Sequence, residues 1–166
     1  MRTKLFKKQI SVLITSSGTK STTSVIDCLR NNYENRKIKI ICSDQFEQPI
    51  MHHKADKFYL LPAGNSRNYI KSLIALCKKE KIDVILPCSG SEVLALAKNI
   101  ELLKSKGIYP AVSNFNSVKK TMDKISVYNL FRKHKMPVPD FYLVRNKKRI
   151  FESDKSFRLS KSTCLF

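Results

Sequence analysis

The sequence predicts an α/β protein: an open, doubly wound parallel sheet with helices on both faces. Three observations predict it. Apolar residues recur with a period of about 2 in short runs and about 3.6 in longer ones, and the two periods alternate along the chain. The first apolar run, Val12-Leu-Ile-Thr15, passes through a small polar loop, Ser16-Ser-Gly-Thr-Lys-Ser21, into a helical pattern. Proline and glycine stand where periodic segments end, at Pro62, Pro87 and Gly107.

Ile10 to Thr15 is the first strand, and Thr22 to Asn32 is a helix with Val25, Ile26 and Leu29 on one face. Lys37 to Ser43, carrying Ile38, Ile40 and Ile41, is the second strand, and Phe58 to Leu61, ended by Pro62, is a short third. Ser66 is placed to cap a helix in which Tyr69, Ile70, Leu73, Ile74 and Cys77 form one stripe. Ile82 to Leu86 is the fourth strand, stopped by Pro87. A single helix runs from Ser91 to Lys104 with Leu94, Ala97 and Leu103 inward, and Gly107 sits where a helix terminator belongs. Tyr109 to Val112 is the fifth strand. Residues 10–121 therefore read as one doubly wound domain behind a basic N-terminal arm, residues 1–9.

Residues 122–166 read as a linker helix and the beginning of something new. Ser117 to Met122 leads into a helix from Asp123 to His134 with Ile125, Tyr128 and Phe131 on one side. Pro137 and Pro139 end it, because proline lacks the amide proton and biases its predecessor away from helix. Phe141 to Val144 is a further strand. From Arg145 the chain is basic and aperiodic, yet Phe151, Phe157, Leu159, Leu165 and Phe166 are too apolar for an ordinary disordered tail, and a truncated second domain is expected.

Length and composition limit the function classes. A chain of 166 residues holds one domain with its own core and part of another. With 42% hydrophobic and 27% charged residues the composition is that of a folded soluble protein, and no run approaches the roughly 18 apolar residues of a membrane span. No membrane partner is expected. The basic start precedes an apolar run too short for a signal peptide, so a cytoplasmic location is expected. Five cysteines, odd in number and without a C-x-x-C pair, and three histidines argue for reduced thiols and against a disulfide framework or zinc site. The net charge of +19 favours polyanions. The lysines are scattered beside apolar positions, however, without interleaved aromatic residues, so nucleic acid is expected only as a non-specific, charge-driven partner.

The loop around Gly18 is not a P-loop, because Thr19 separates Gly18 from Lys20 and no glycine lies upstream. The three glycines of a dinucleotide fingerprint would fall on Ser16, Gly18 and Ser21, and only the middle one is present. The placement between strand and helix still suits a carboxylate or phosphate, since free amides at a helix start attract anions; a plain turn in which Ser and Thr cap the helix accounts for the same residues. Asp44 after the second strand is either a ribose partner or a turn former, and Glu92 is at minimum a helix-dipole acid. In a doubly wound sheet Ser17, Gly18, Thr19, Asp44, Ser89 and Glu92 converge beyond the carboxyl ends of the strands, and they are the candidate substrate-binding residues. No catalytic residue and no metal ligand is assigned.

The order of motifs resembles the N-terminal, pre-ATP-grasp, Rossmann-like domain of ATP-grasp ligases, particularly the carbamoyl-phosphate synthase large-subunit-like group. The stretches that carry the resemblance are Val12-Leu-Ile-Thr-Ser-Ser-Gly18, Ala55 to Pro62, Ile82 to Glu92, Leu96-Ala-Lys-Asn99, and Met122-Asp-Lys-Ile-Ser-Val-Tyr-Asn-Leu-Phe131 followed by Met136-Pro-Val-Pro139. The resemblance implies ATP-dependent carbon–nitrogen ligation through an acyl phosphate, with ATP and magnesium as cofactors of the full-length enzyme and none for this chain alone. It implies a nucleotide-phosphate role for Lys124, which matches the basic residue of the family's D-K pair. It also implies a carboxylate or amino compound as substrate, and a catalytic domain or chain supplied separately, because no glycine-rich flap follows Val144. Two other classes stay open at this point: a free-standing nucleotide or small-anion regulatory module, and a basic nucleic-acid-binding protein.

Overall fold

The computed structural model describes residues 9–139, 141–142 and 164–165, and they fall into two compact units divided between Met122 and Asp123. The first unit is the doubly wound domain. Its strands are Ile10–Thr15 (β1), Ile38–Asp44 (β2), Lys57–Leu60 (β3), Val84–Pro87 (β4) and Tyr109–Pro110 (β5). Its helices are Thr22–Arg30 (α1), Pro49–Lys54 (α2), Tyr69–Glu80 (α3), Gly90–Lys98 (α4), Ile100–Lys104 (α5) and Phe115–Thr121 (α6).

All five strands are parallel, in the order β3-β2-β1-β4-β5. The order reverses direction at β1, so the gap between β1 and β4 is the topological switch point, where open α/β sheets bind ligands. Alternate side chains of each strand feed two cores. Leu13, Ile41 and Ile85 pack with Leu73, Leu76, Leu96 and Leu103 on one face, and Val12, Ile14, Ile40 and Cys42 pack with Ile26 and Met51 on the other. Each fully buried aliphatic side chain contributes about 1.5–3 kcal/mol, so both faces of the central strands must be apolar.

Several local expectations are corrected. Ser66 is not the cap of α3: Asn68 is, while the Ser66 carbonyl and hydroxyl accept the amides of Tyr69 and Asn68 in the preceding turn. The expected single helix from Ser91 to Lys104 is two, because Asn99 ends α4 with its side-chain amide on the Ala95 carbonyl. Within α4, Leu94 is half-buried and Leu96 takes the core position. Pro87 does not stop β4 but is its last residue, opposite Thr15; its missing N–H faces the β5 side, where pairing has already ended at Ile85. The short helix α2 has no counterpart in the periodicity. Gly107 ends α5 in the left-handed region at φ +73°, and Lys81 ends α3 the same way at φ +55° with no glycine to signal it.

In the second unit, Lys124–Lys133 (α7) is capped by Asp123, whose carboxylate accepts the Ser126 amide at 2.7 Å. This helix is ended by Lys135 in the left-handed region and by the Met136 amide on the Phe131 carbonyl, so the prolines follow the stop and do not create it. Phe141–Tyr142 (β6) pairs in parallel with Cys164–Leu165 (β7). Residues 143–163, with the expected apolar positions Phe151, Phe157 and Leu159, lie outside the described residues, as do residues 1–8 and Phe166. Among the described residues no helix is long and apolar enough to cross a membrane.

Candidate functional site

The polar turns that follow β1, β2 and β4 meet at one rim. Ser16 leaves β1 in the left-handed region at φ +50°, which turns the chain sharply toward α1. The Ser17 amide then bonds the Ser43 carbonyl at 3.0 Å, extending the β1–β2 ladder by one rung, and the Ser17 hydroxyl is fully buried without a hydrogen-bond partner. The Gly18 amide donates to Asp44 Oδ2 at 2.8 Å, and the Phe46 amide donates to Asp44 Oδ1 at 3.2 Å. Asp44 is 9% exposed and acts as a clamp that ties the loop after β1 to the loop after β2. A Cβ at position 18 would stand 2.4 Å from Gln48 Nε2 and 3.1 Å from Asp44 Oδ2, so a side chain there would have to displace the Gln48 amide.

The other half of the rim is built on β4 and α4. The Cys88 amide bonds the Thr15 carbonyl at 3.1 Å. Ser89 is the residue before α4 and makes no capping bond with its side chain; its hydroxyl instead lies 3.3 Å from that of Ser91. Glu92, in the first turn of α4, is buried, and its Oε2 accepts the Thr15 hydroxyl at 2.6 Å. The Tyr69 hydroxyl makes no hydrogen bond although Thr15 and Glu92 lie close, and burial followed by the Glu92 charge pushes its ionisation up. Burial and the Glu92 carboxylate push the Cys88 thiol up as well, against the Thr22 and Thr19 hydroxyls. Thr19 Oγ1 lies 2.9 Å from Thr22 Oγ1, so the start of α1 closes on itself through side chains.

Of the candidate residues, Gly18 and Asp44 are bonded directly, Ser17 and Thr19 flank that bond in sequence, and Ser89 and Glu92 stand at the start of α4, where Thr15 of β1 bonds Glu92. Lys124 belongs to the second unit. Among the described residues no three His, Cys, Asp or Glu side chains gather as a metal site. Sequence reasoning missed Thr15, Tyr69, Gln48 and Gly64. A Cβ on Gly64 would meet the Glu92 backbone nitrogen at 2.7 Å, so the loop after β3 also rests on the start of α4. The signal for Gly64 was present, a glycine two residues after the Pro62 that ends β3, whereas nothing local marks Thr15 or Tyr69.

The chain resembles solved structures at this level of fold. One is N5-carboxyaminoimidazole synthetase from Staphylococcus aureus complexed with ADP, with a TM-score of 0.56 and 16% identity over 90% of this chain. A second is the biotin carboxylase domain of a single-chain bacterial carboxylase, with a TM-score of 0.54 and 12% identity over 89%. A third is the multifunctional pyruvate carboxylase from Rhizobium etli, with a TM-score of 0.52 and 17% identity over 79%. The chain spans 36%, 34% and 13% of their respective lengths. No curated protein sequence matches it. The description "PylC-like, N-terminal domain" matches residues 12–111, which run from β1 through β5 and contain every rim residue. The chain therefore belongs to the PylC-like N-terminal domain family, with a fold similar to that of ATP-grasp ligase N-terminal domains.

Proposed function

We propose that this chain is the acceptor-side domain of an ATP-grasp ligase resembling the carbamoyl-phosphate synthase large subunit, and that its rim holds an amino compound. The observation that carries the choice of ligand is the bond from the Gly18 amide to Asp44. In a loop of this kind the amide is the donor that a phosphate or carboxylate would take. Here an internal carboxylate already takes it, and a second carboxylate, Glu92, lies buried on the β4 side of the rim, bonded to the Thr15 hydroxyl. An incoming anion meets like charge, whereas an ammonium finds a carboxylate held in place by two backbone donors.

In ligases of this kind a carboxylate is activated as an acyl phosphate, and magnesium ATP supplies the phosphoryl group when bound. The acceptor nitrogen then attacks the carbonyl carbon, the bond from that carbon to the phosphate oxygen breaks, inorganic phosphate leaves and the nitrogen gives up a proton. The part proposed for the rim residues is binding and orientation. Asp44 anchors the ammonium, Thr19 and Ser89 offer hydroxyls beside it, and Ser17, Gly18 and Glu92 hold the rim from beneath. Lys124 is proposed to meet nucleotide phosphates when the grasp domain, on this or another polypeptide, is in place. We place the protein in the cytoplasm.

Calorimetric titration of the chain with a diamino acid and with a dicarboxylate of equal length tests the reading. The diamino acid is expected to bind and Asp44→Asn to abolish the binding, because asparagine keeps the acceptor oxygen but loses the charge. Binding of the dicarboxylate alone would overturn it. Phosphate release from magnesium ATP is expected to stay at the buffer level, and turnover by these 166 residues would overturn the placement of the phosphoryl machinery elsewhere.

A further inference from the structure

At the opposite end of the sheet, where the strands begin, Arg30, Asn35, Arg36, Lys37, Lys39 and Asp56 help to line a half-open cavity of about 390 Å3. That volume lies in the range of small-ligand sites. The turn that carries its cations is locked by one side chain. Asn32 donates to the carbonyls of Leu29 and Arg36 at 3.0 and 2.9 Å and accepts the Arg36 amide at 2.8 Å, and Asn35 takes the left-handed conformation at φ +50° within that turn. The bond to Leu29 also occupies a carbonyl at the end of α1 that would otherwise repel an anion.

Arg30 is fixed as well. It donates to Asp56 Oδ1 at 2.7 Å and to the Ile38 carbonyl at 3.3 Å, and Asp56 Oδ2 is itself held by the Ile40 amide at 2.7 Å. Among the described residues these bonds use two of the five guanidinium donors, and they set the orientation of its plane in advance. Among the described lining residues four are cationic, Arg30, Arg36, Lys37 and Lys39, and one, Asp56, is acidic; the Lys39 ammonium also meets Glu80, which it shares with Lys57. None of the described residues lining it is aromatic, so a nucleic-acid base has nothing to stack on.

We infer that this cavity binds a small, multiply charged oxyanion of the phosphate class. The site is independent of the rim, because its residues stand at the amino ends of β1 and β2.

Inorganic pyrophosphate is the probe. The full chain is titrated by calorimetry at physiological salt, as wild type, as Arg36→Gln with Lys37→Gln, and as Lys119→Gln with Lys120→Gln, which removes the same charge from α6. Binding is expected to weaken about ten-fold or more in the first variant and less than about two-fold in the second. Amide chemical shifts in the wild type are expected to move at residues 30–39 and to stay put at Ser17 and Gly18. Equal weakening in the two variants would mean that net charge alone is at work and would overturn the site. So would the absence of binding, shifts confined to the rim, or a short single-stranded RNA that binds more tightly than pyrophosphate and is lost in the same variant.

Discussion

Replacing Glu80 with glutamine asks how much one shielded carboxylate contributes to holding β2, β3 and α3 together. Glu80, the last residue of α3, accepts Lys39 Nζ from β2 at 2.8 Å, Lys57 Nζ from β3 at 2.9 Å, and the Tyr59 hydroxyl. Its side chain is 2% exposed, but the cover is two flexible lysine stems and a phenol, so desolvation counts for less than the hydrogen bonds. Those bonds, led by Lys39, bring its pKa from 4.5 to about 2. At about 1.4 kcal/mol per pH unit, a displacement of that size sets a ceiling of about 3 kcal/mol. The Lys39 and Lys57 side chains are 30% and 48% exposed, and solvent screening lowers the expectation to about 1–2 kcal/mol.

The sign follows from the direction of the displacement. The folded value lies below the unfolded one, so the contribution is complete above about pH 4.5 and is lost as the pH falls toward about 2. Urea denaturation of the wild type and Glu80→Gln, repeated from neutral to acid pH, reads this directly. The wild type is expected to be more stable by about 1–2 kcal/mol at neutral pH, with the gap narrowing in acid as Glu80 takes up a proton and comes to resemble glutamine. A gap that stays constant with pH, or a glutamine variant as stable as wild type at neutral pH, would refute the assignment of Glu80 as an ionised hub.

Gly64→Ala is expected to lower stability by about 1–3 kcal/mol, because the added Cβ meets backbone atoms of Glu92 that cannot swing away; an unchanged denaturation midpoint would contradict it. Thr15→Val removes the buried donor to Glu92 and is expected to cost about 1–3 kcal/mol, whereas Thr15→Ser, which keeps the hydroxyl, recovers part of that loss in the same assay. Gly18→Ala collides first with the amide of Gln48, a movable group, so its cost is expected to shrink in a Gln48→Ala background; strictly additive effects in the double-mutant cycle would argue against that contact. Mass spectrometry after thiol alkylation is expected to find exposed Cys28 labelled in the folded protein and Cys42 and Cys77 labelled only after denaturation, since burial raises both thiols to about 12. Equal labelling of Cys28 and Cys42 under native conditions would count against the packing of β2.

Much of the fold is legible in the sequence because the central strands are apolar on both faces and the helices are apolar on one, and these are local, periodic signals. Where the reading departs from the structure, the deciding interaction is one that a period does not encode. Asn99 breaks a helix whose apolar spacing continues past it, because its side chain bonds back to Ala95. Lys81 and Lys135 end helices in a conformation usually marked by glycine. The helix α2 has six residues, too few for a stripe to stand out, although a proline at its first position is the ordinary helix-start signal.

The candidate site divides in the same way. That Ser17, Gly18, Thr19, Asp44, Ser89 and Glu92 sit after strands follows from the sequence alone, and so does their nearness to one edge once the sheet is parallel. What each residue does there does not follow. Asp44 reads as a ribose partner or, more often for an acid at a strand end, a turn former, and the structure makes it the clamp on the Gly18 amide. Glu92 reads at minimum as a helix-dipole acid, and the structure buries it against Thr15 and Gly64.

The sequence by itself determined the elements, their class and the chemical character of the turns, since backbone periodicity and turn preference are properties of neighbouring residues. Only the tertiary structure decided which turns meet. The Gly18 amide and Asp44 are 26 residues apart, and Thr15 and Glu92 are 77 apart. Each pair exists because β1 lies between β2 and β4 in the sheet. A strand order is fixed by which faces bury each other, and that choice is made by the whole chain at once.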